Sequence, residues 1–269
     1  MLRIILLATS LLLAGPAGEW TALSRDLNHV MKAAINLGIQ SEGAFDITVL
    51  PLVNAWGFGA LPDEGEPTET ILEEARKRVG FRKIVLEDGR LKKTADLEID
   101  LSGIAKGFGV DAVSAELKRQ NCSDFVVEIG GEVRVLGVNP AGRSWRVAIE
   151  GPDEMMRSIT DRVLEITSGA VATSGDYRNV TSWNGVTHSH IFDPRSGAPV
   201  ENGLVSVTVL HESAMWADGF ATLINVLGPR AGLRFGVSRD LPVFLIVRGE
   251  TGFSILMTPA MAPYFERKM

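Results

Sequence analysis

Two side chains one helical turn apart, Asp218 and Thr222, are the first in this 269-residue chain whose spacing has chemical meaning. In Ala217-Asp218-Gly219-Phe220-Ala221-Thr222 they stand at i and i+4, so a helix puts a carboxylate and a hydroxyl on one face. Both are hard oxygen donors of the kind Mg²⁺ takes, with waters and a substrate phosphate completing an octahedron. The plain alternative is an aspartate that serves a neighbour and a threonine that bonds back to its own helix. A second stretch, Asp100-Leu101-Ser102-Gly103-Ile104-Ala105-Lys106, sets a strand-to-helix turn ahead of a lysine. Free N–H groups and the positive end of a helix dipole make such a turn an anion site, and Lys106 adds charge to it. Here the alternative is an ordinary strand-turn-helix with a surface lysine. His188-Ser189-His190 has the spacing of a zinc pair, but no third ligand is evident and Cys122 is remote in sequence. His190 as an acid, a base or a cofactor contact fits the polar turn after it better. Thr173-Ser174-Gly175-Asp176 offers a serine, yet no Gly-x-Ser-x-Gly elbow occurs in the chain. There is no Walker A sequence and no Gly-x-Gly-x-x-Gly after a strand.

These residues need elements to hold them. Leu97, Ile99 and Leu101 alternate with Asp96, Glu98 and Asp100, which predicts a strand with one buried face. Ile104, Phe108, Ala112 and Ala115 then recur at helical spacing to about Leu117, with Ser102 as the N-cap. Asp218 falls in a predicted helix at 213–227, ended by Gly228-Pro229, with another helix at 229–236. Helices are also predicted at 24–41, capped by Ser24, and at 68–79, capped by Thr68. Residues 41–59, dense in Gly and aromatics, read as a binding loop, and 62–67 as an acidic, Pro-rich linker. A hairpin is predicted over 81–94 around Asp88-Gly89. A strand, a Gly130-Gly131 break and a second strand fill 124–137. Further strands are predicted at 145–149, 170–178, 204–210, 243–247 and 253–257. Strands and helices mix without strict βαβ alternation, so the expected class is α+β, with mixed or antiparallel sheets and packed helices.

Composition narrows the partners. A net charge of -6 gives no basic footprint for nucleic acid. The single cysteine, Cys122, rules out an intrachain disulfide and a Cys-based zinc site. Arg3 precedes an apolar run at 4–14 and small residues at 15–18, the length of a signal-peptide core and short for a membrane span. The expected organisation is a signal-like or anomalous segment at 1–18, a route to N-terminal membrane association, and a single domain at 19–269. No cysteine follows the run, so lipobox attachment is excluded.

Six stretches taken together carry a resemblance. They are Gly43-Ala44-Phe45-Asp46-Ile47-Thr48 with the following 51–59, Asp100 to Gly107, Glu128-Ile129-Gly130-Gly131-Glu132, Thr173 to Arg178, His190 to Gly197, and Ala217 to Thr222. In order and spacing, from about residue 16 onward, the chain resembles the ApbE-like FAD:protein FMN transferase family. The resemblance implies a T-fold-like α+β architecture and an Mg²⁺-dependent enzyme that binds FAD and splits its pyrophosphate. It further implies transfer of FMN to a Thr or Ser hydroxyl of a flavoprotein subunit in a membrane redox complex, on the exported side, with release of AMP. By the same resemblance, Asp218, Thr222 and the backbone carbonyl of Gly103 match metal ligands. Ala44, Phe45, Asp46, Asp100 and Phe192 match flavin-dinucleotide contacts, and Lys106 sits where phosphate charge is neutralised. A base must activate the acceptor hydroxyl, and His190 is assigned to it, with an Asp beside the metal as the rival. Family members carry a further β-rich segment with a Met-Gly-Thr motif ahead of the matching point. The expectation is therefore that one sheet edge and one wall of the flavin site are missing here. Two other readings keep part of this chemistry: an FAD pyrophosphatase yielding FMN and AMP, and a non-catalytic FAD-binding protein.

Overall fold

In a computed structural model the described residues are 15–58, 66–149, 163–175, 180–183, 186–249 and 252–265, with only the backbone course given for 180–183 and 186–188. They form two compact units. One runs to Gly103 and includes Asn179–Glu201, and the other combines Ile104–Arg178 with Asn202–Met269.

In the first unit, α1 (Arg25–Gln40) starts where Ser24 Oγ accepts the Leu27 N–H at 3.1 Å. Its inward stripe, Leu27, Val30, Met31, Ala34 and Leu37, is buried. Strands β1 (Trp20–Ala22), β2 (Ile84–Glu87) and β3 (Arg90–Lys93) make an antiparallel sheet in the order β1-β3-β2. The turn between β2 and β3 needs left-handed backbone at both central positions, and Asp88 (φ 47°) and Gly89 (φ 71°) supply it. The stretch read as a binding loop contains a helix, α2 (Leu50–Ala55), which packs beside α3 (Glu69–Lys77) over Leu52, Trp56, Leu72 and Phe192. Short ladders follow, β9 (Val180–Trp183) with β10 (Val186–Ser189) and β11 (Phe192–Asp193) with β12 (Ala198–Pro199). Most of the linker at 62–67 lies outside the described residues.

Residues 95–101 are not a strand. Leu97 and Leu101 are buried, but Ile99 is only half-buried, like Glu98 and Asp100, and the segment is an irregular run that joins no sheet. The run is tied by the Asp100 N–H to the Ile47 carbonyl at 2.7 Å.

The second unit is built on a six-stranded antiparallel sheet. Its members are β4 (Phe125–Ile129), β5 (Glu132–Leu136), β8 (Ser168–Gly175), β13 (Leu204–His211), β14 (Val243–Gly249) and β15 (Gly252–Met257), in the order β15-β14-β13-β8-β5-β4. Neighbouring residues point to opposite faces. Ala170 meets Val110, Phe125, Val127 and Ala214 on the face covered by helices α4 (Ser102–Arg119) and α5 (Ala214–Val237). Val171 meets Val135, Leu164, Phe244 and Met261 on the other, where the hairpin of β6 (Trp145–Ala148) and β7 (Val163–Ile166) lies.

The two helices expected at 213–227 and 229–236 form, divided at Gly228 (φ 76°, ψ 176°), whose backbone is not helical; together they are labelled α5. Pro229 has no N–H for the Asn225 carbonyl, so a hydrogen bond is missing at the break. The Asn202 Nδ2 donates to that carbonyl instead, at 2.8 Å. Helix α5 is apolar nearly all round, with Leu223 and Ile224 fully buried, as befits a helix enclosed by its own domain.

At the end of β13, His211 Nδ1 accepts the Ser213 N–H at 3.0 Å, so the ring is neutral there. Burial pushes its pKa below the ordinary 6.5, as does Arg134, while the Ser213 backbone and the Glu212 and Asp111 carboxylates pull the other way. A His with a depressed folded pKa lends stability that is full above the unfolded value and lost as pH falls toward the folded one. Thermal unfolding between pH 7.5 and 5 should therefore show the wild type losing stability relative to His211→Asn, whose Oδ1 accepts the same N–H and does not titrate. Parallel pH curves for the two proteins would show that His211 has no such role.

Candidate functional site

In the second unit, three charged side chains from three elements converge. Lys106 on α4 places its Nζ 3.3 Å from Asp218 Oδ1 on α5 and 3.4 Å from Glu132 Oε1 at the start of β5. The Gly107 N–H donates to the other Asp218 oxygen at 3.0 Å. The Glu132 and Asp218 side chains are 2% and 5% exposed, against 41% for Lys106. Glu132 Oε2 is buried and has no hydrogen-bond partner among the described residues.

The local sequence explains the convergence. Gly130 (φ 62°) and Gly131 (φ 99°) turn the chain tightly from β4 into β5. The stem of Lys106 lies over Gly130, where an added Cβ would come within 3.3 Å of Lys106 Cδ. Helices α4 and α5 meet at Gly107, whose missing side chain lets the Ala214 backbone approach. One turn further along α4, Asp111 clamps the start of α5. It accepts the Ser213 hydroxyl at 2.6 Å and the Ala214 and Met215 N–H groups at 3.0 Å each, and it pairs with Arg134. A carboxylate over the first turn of a helix also meets the positive end of its dipole.

Among the described residues, charge in this cluster is unbalanced, with two carboxylates for one ammonium. Burial, then the neighbouring Asp218, push Glu132 up to about 7, against the pull of Lys106. Burial likewise raises Asp218, opposed by Lys106 and the Gly107 N–H. Burial works against the Lys106 ammonium, but Asp218 and Glu132 together outweigh it, so its pKa is raised.

The other expected site residues, Thr222 on α5 apart, lie in the first unit or at its edge. Asp100 caps α4: Oδ1 accepts the Ser102 N–H at 2.8 Å and Oδ2 the Ser102 hydroxyl at 2.9 Å. The cap is thus Asp100, and Ser102 is the first helical residue. A carboxylate offers two acceptors where Ser102 offers one. Gly103 follows in the first turn, and Thr222 is half-buried one turn beyond Asp218. Ala44, Phe45 and Phe192 are buried, Phe192 against Trp56 and Phe58 with ring centroids 6.4 and 5.7 Å away. His190 is half-buried, and the side chain of His188 lies outside the description. Thr173 pairs with Thr208 at 2.9 Å, and Ser174 accepts from Asn225 at 3.2 Å.

Asp46 holds its own loop. Oδ1 accepts the Thr48 N–H at 2.8 Å and its hydroxyl at 2.6 Å, and Oδ2 accepts the Phe81 N–H at 2.9 Å. In Asp46→Asn an amide N–H must face one of these donors. We expect a loss of about 2 kcal/mol in urea unfolding. An unchanged midpoint would mean that the loop does not depend on this carboxylate.

Glu132 and the Gly107 N–H are absent from the residues picked out by sequence. A signal existed for Glu132. Glu132 and Arg134 share one face of β5, and their partners on α4, Lys106 and Asp111, carry the opposite charges.

The fold is α+β, and its second unit gathers two buried carboxylates and a lysine where α4 meets α5. Residues 9–245 match the ApbE family, and the chain belongs to it. The FAD:protein FMN transferase of Vibrio cholerae is 43% identical over 254 residues, covering 93% of this chain and 75% of that protein. That of Haemophilus influenzae is 39% identical, covering 91% and 73%. Among solved structures, the flavin transferase ApbE from Vibrio cholerae superposes with a TM-score of 0.86 at 41% identity, covering 93% of this chain and 80% of that one. The ApbE protein from Thermotoga maritima superposes at 0.83 with 28% identity, covering 95% and 82%.

Proposed function

We propose that this chain is an FAD:protein FMN transferase dependent on Mg²⁺. An acceptor Thr or Ser oxygen forms the new bond to the FMN phosphorus, the pyrophosphate P–O bond breaks, and AMP leaves. The observation that carries the site assignment is the buried Lys106–Asp218–Glu132 cluster with its orphaned Glu132 oxygen.

Mg²⁺ suits the donor set. Among the described residues no three His, Cys, Asp or Glu side chains gather as a complete cage. Asp218 with Thr222 and the Gly103 carbonyl offers the partial oxygen set Mg²⁺ takes when substrate phosphates and waters supply the rest. Bound there, the cation would neutralise charge on the pyrophosphate and its leaving group. The Gly107 N–H fixes one oxygen of Asp218. Lys106 supplies a positive charge for phosphate oxygens, and Asp100 holds the start of α4 in register. Ala44, Phe45, Asp46 and Phe192 line the dinucleotide site in this reading. Because Asp46 is occupied with its own loop, it acts by shaping that loop. His190 is the proposed base, taking the acceptor hydroxyl proton. The acceptor is proposed to be a flavoprotein subunit of a membrane redox complex, met on the exported side; the support is the signal-like run at 4–14. Among the described residues no helix is long and apolar enough to cross a membrane.

The test is incubation with FAD, Mg²⁺ and a Thr-bearing acceptor peptide, read by mass spectrometry. FMN-modified peptide with AMP, both abolished by EDTA, is the expected result. AMP without modified peptide would replace transfer by pyrophosphate hydrolysis, and bound FAD with neither product would leave a binding protein.

A further inference from the structure

Lys106 is held between two carboxylates and fully claimed by neither. A charge-assisted N–H···O contact settles at about 2.7–2.9 Å. Lys106 Nζ stands 3.3 Å from Asp218 and 3.4 Å from Glu132, nearly equidistant. Besides Lys106, the Glu132 carboxylate meets among the described residues only Asp218, as a like charge, and its own backbone. Its Oε2 is unpaired, its side chain is 2% exposed, and its position is fixed by the Gly130-Gly131 turn. Burying a carboxylate with an unsatisfied oxygen is unfavourable, so a buried ion pair is weak evidence of a contribution to stability.

We infer that Glu132 is a positioning residue that draws the Lys106 ammonium off Asp218, keeping the Asp218 carboxylate open to a divalent cation and the ammonium aimed at phosphate. This rests on the cation-site reading given above. Without the Glu132 charge, Asp218 is the anion that remains beside Lys106 among the described residues. The ammonium then closes onto it as a tight pair, and the cation competes with a lysine for the same oxygens. Glu132 acts through Lys106, so its effect should vanish when Lys106 is absent.

The experiment is a double-mutant cycle on cation binding, with Mn²⁺ as the probe, titrated into the full chain in the presence of FAD and followed by electron paramagnetic resonance. Glu132→Gln should weaken Mn²⁺ binding about tenfold in the wild-type background and less than twofold in Lys106→Met, a coupling that independent sites do not give. Thermal unfolding checks each variant, and Glu132→Asp, which shortens the reach by one methylene, serves the same comparison should Glu132→Gln not fold. Equal losses in both backgrounds would overturn the inference, because Glu132 would then act on its own. So would an unchanged affinity in Glu132→Gln. Absence of Mn²⁺ binding by the wild type would instead remove the cation site on which the inference rests.

Discussion

Asp218→Asn should abolish flavin transfer without weakening the fold. The expected loss in rate is on the order of 10³-fold or more, the scale seen when a preorganised charge at a reacting phosphate is removed. The stability expectation runs the other way and follows from burial. The Asp218 side chain is 5% exposed, and burial holds its pKa above the usual carboxylate value despite Lys106 and the Gly107 N–H. For an acid raised on folding, the folded state binds more protons than the unfolded one between the two pKa values, so stability falls as pH rises through that window. Once ionised, Asp218 is a net cost to the cation-free protein. Asparagine is nearly isosteric and keeps an oxygen for the Gly107 N–H, while Lys106 retains Glu132. The thermal midpoint at pH 8, without divalent ions, should hold or rise. Transfer that survives the change would remove Asp218 from the chemistry. A collapse of the midpoint together with activity would make the carboxylate structural.

The sequence carried the α+β class in its periods. The caps at Ser24 and Thr68 and the turns at Asp88-Gly89 and Gly130-Gly131 depend on a few neighbours only, and all four form as read. Errors arose where a local signal has two structural outcomes. Leu97, Ile99 and Leu101 alternate as a strand does, but whether an extended run finds a ladder depends on residues far away in the chain. Gly228-Pro229, by contrast, reads as a helix stop and forms one: the backbone at Gly228 is not helical, and Asn202 takes the carbonyl that Pro229 leaves without a donor. The roles proposed for Asp218, Lys106 and Gly103 came from the resemblance. Spacing alone did not separate them from an ordinary helix face. Glu132 and Gly107 went unassigned for different reasons. Glu132 looked like one more polar strand residue, and its role depends on a lysine 26 positions earlier. Gly107 matters through what it lacks, and close approach of two backbones leaves no trace in hydrophobic periodicity.

That close approach sets the second large effect, expected for Gly107→Ala. A Cβ at this position would lie 2.2 Å from the Ala214 carbonyl oxygen, 2.5 Å from its carbon and 2.8 Å from Met215 Cα. These are backbone atoms in the first turn of α5, and no rotamer relieves the overlap. Nor can α5 move away freely. Asp111, on the same helix as Gly107, grips Ser213, Ala214 and Met215, and Arg134 holds Asp111 from the sheet. Separating the helices breaks that clamp or the Gly107–Asp218 hydrogen bond. Overpacking of this kind costs about 3 kcal/mol, more than the gain of about 1 kcal/mol that alanine brings to a helix interior. The net loss of about 2 kcal/mol should lower the midpoint by roughly 4–8 °C. Activity should be lost at temperatures where the variant is still folded, because Asp218 shifts relative to Lys106. Gly109→Ala is the control on the same helix, two residues away. Its Cβ would meet only Ile129 Cδ1, at 3.5 Å, an ordinary contact. That variant should be as stable as the wild type or more so, and fully active. If both alanines behave alike, helix propensity governs this region, and the close contact of α4 with α5 does not build the site.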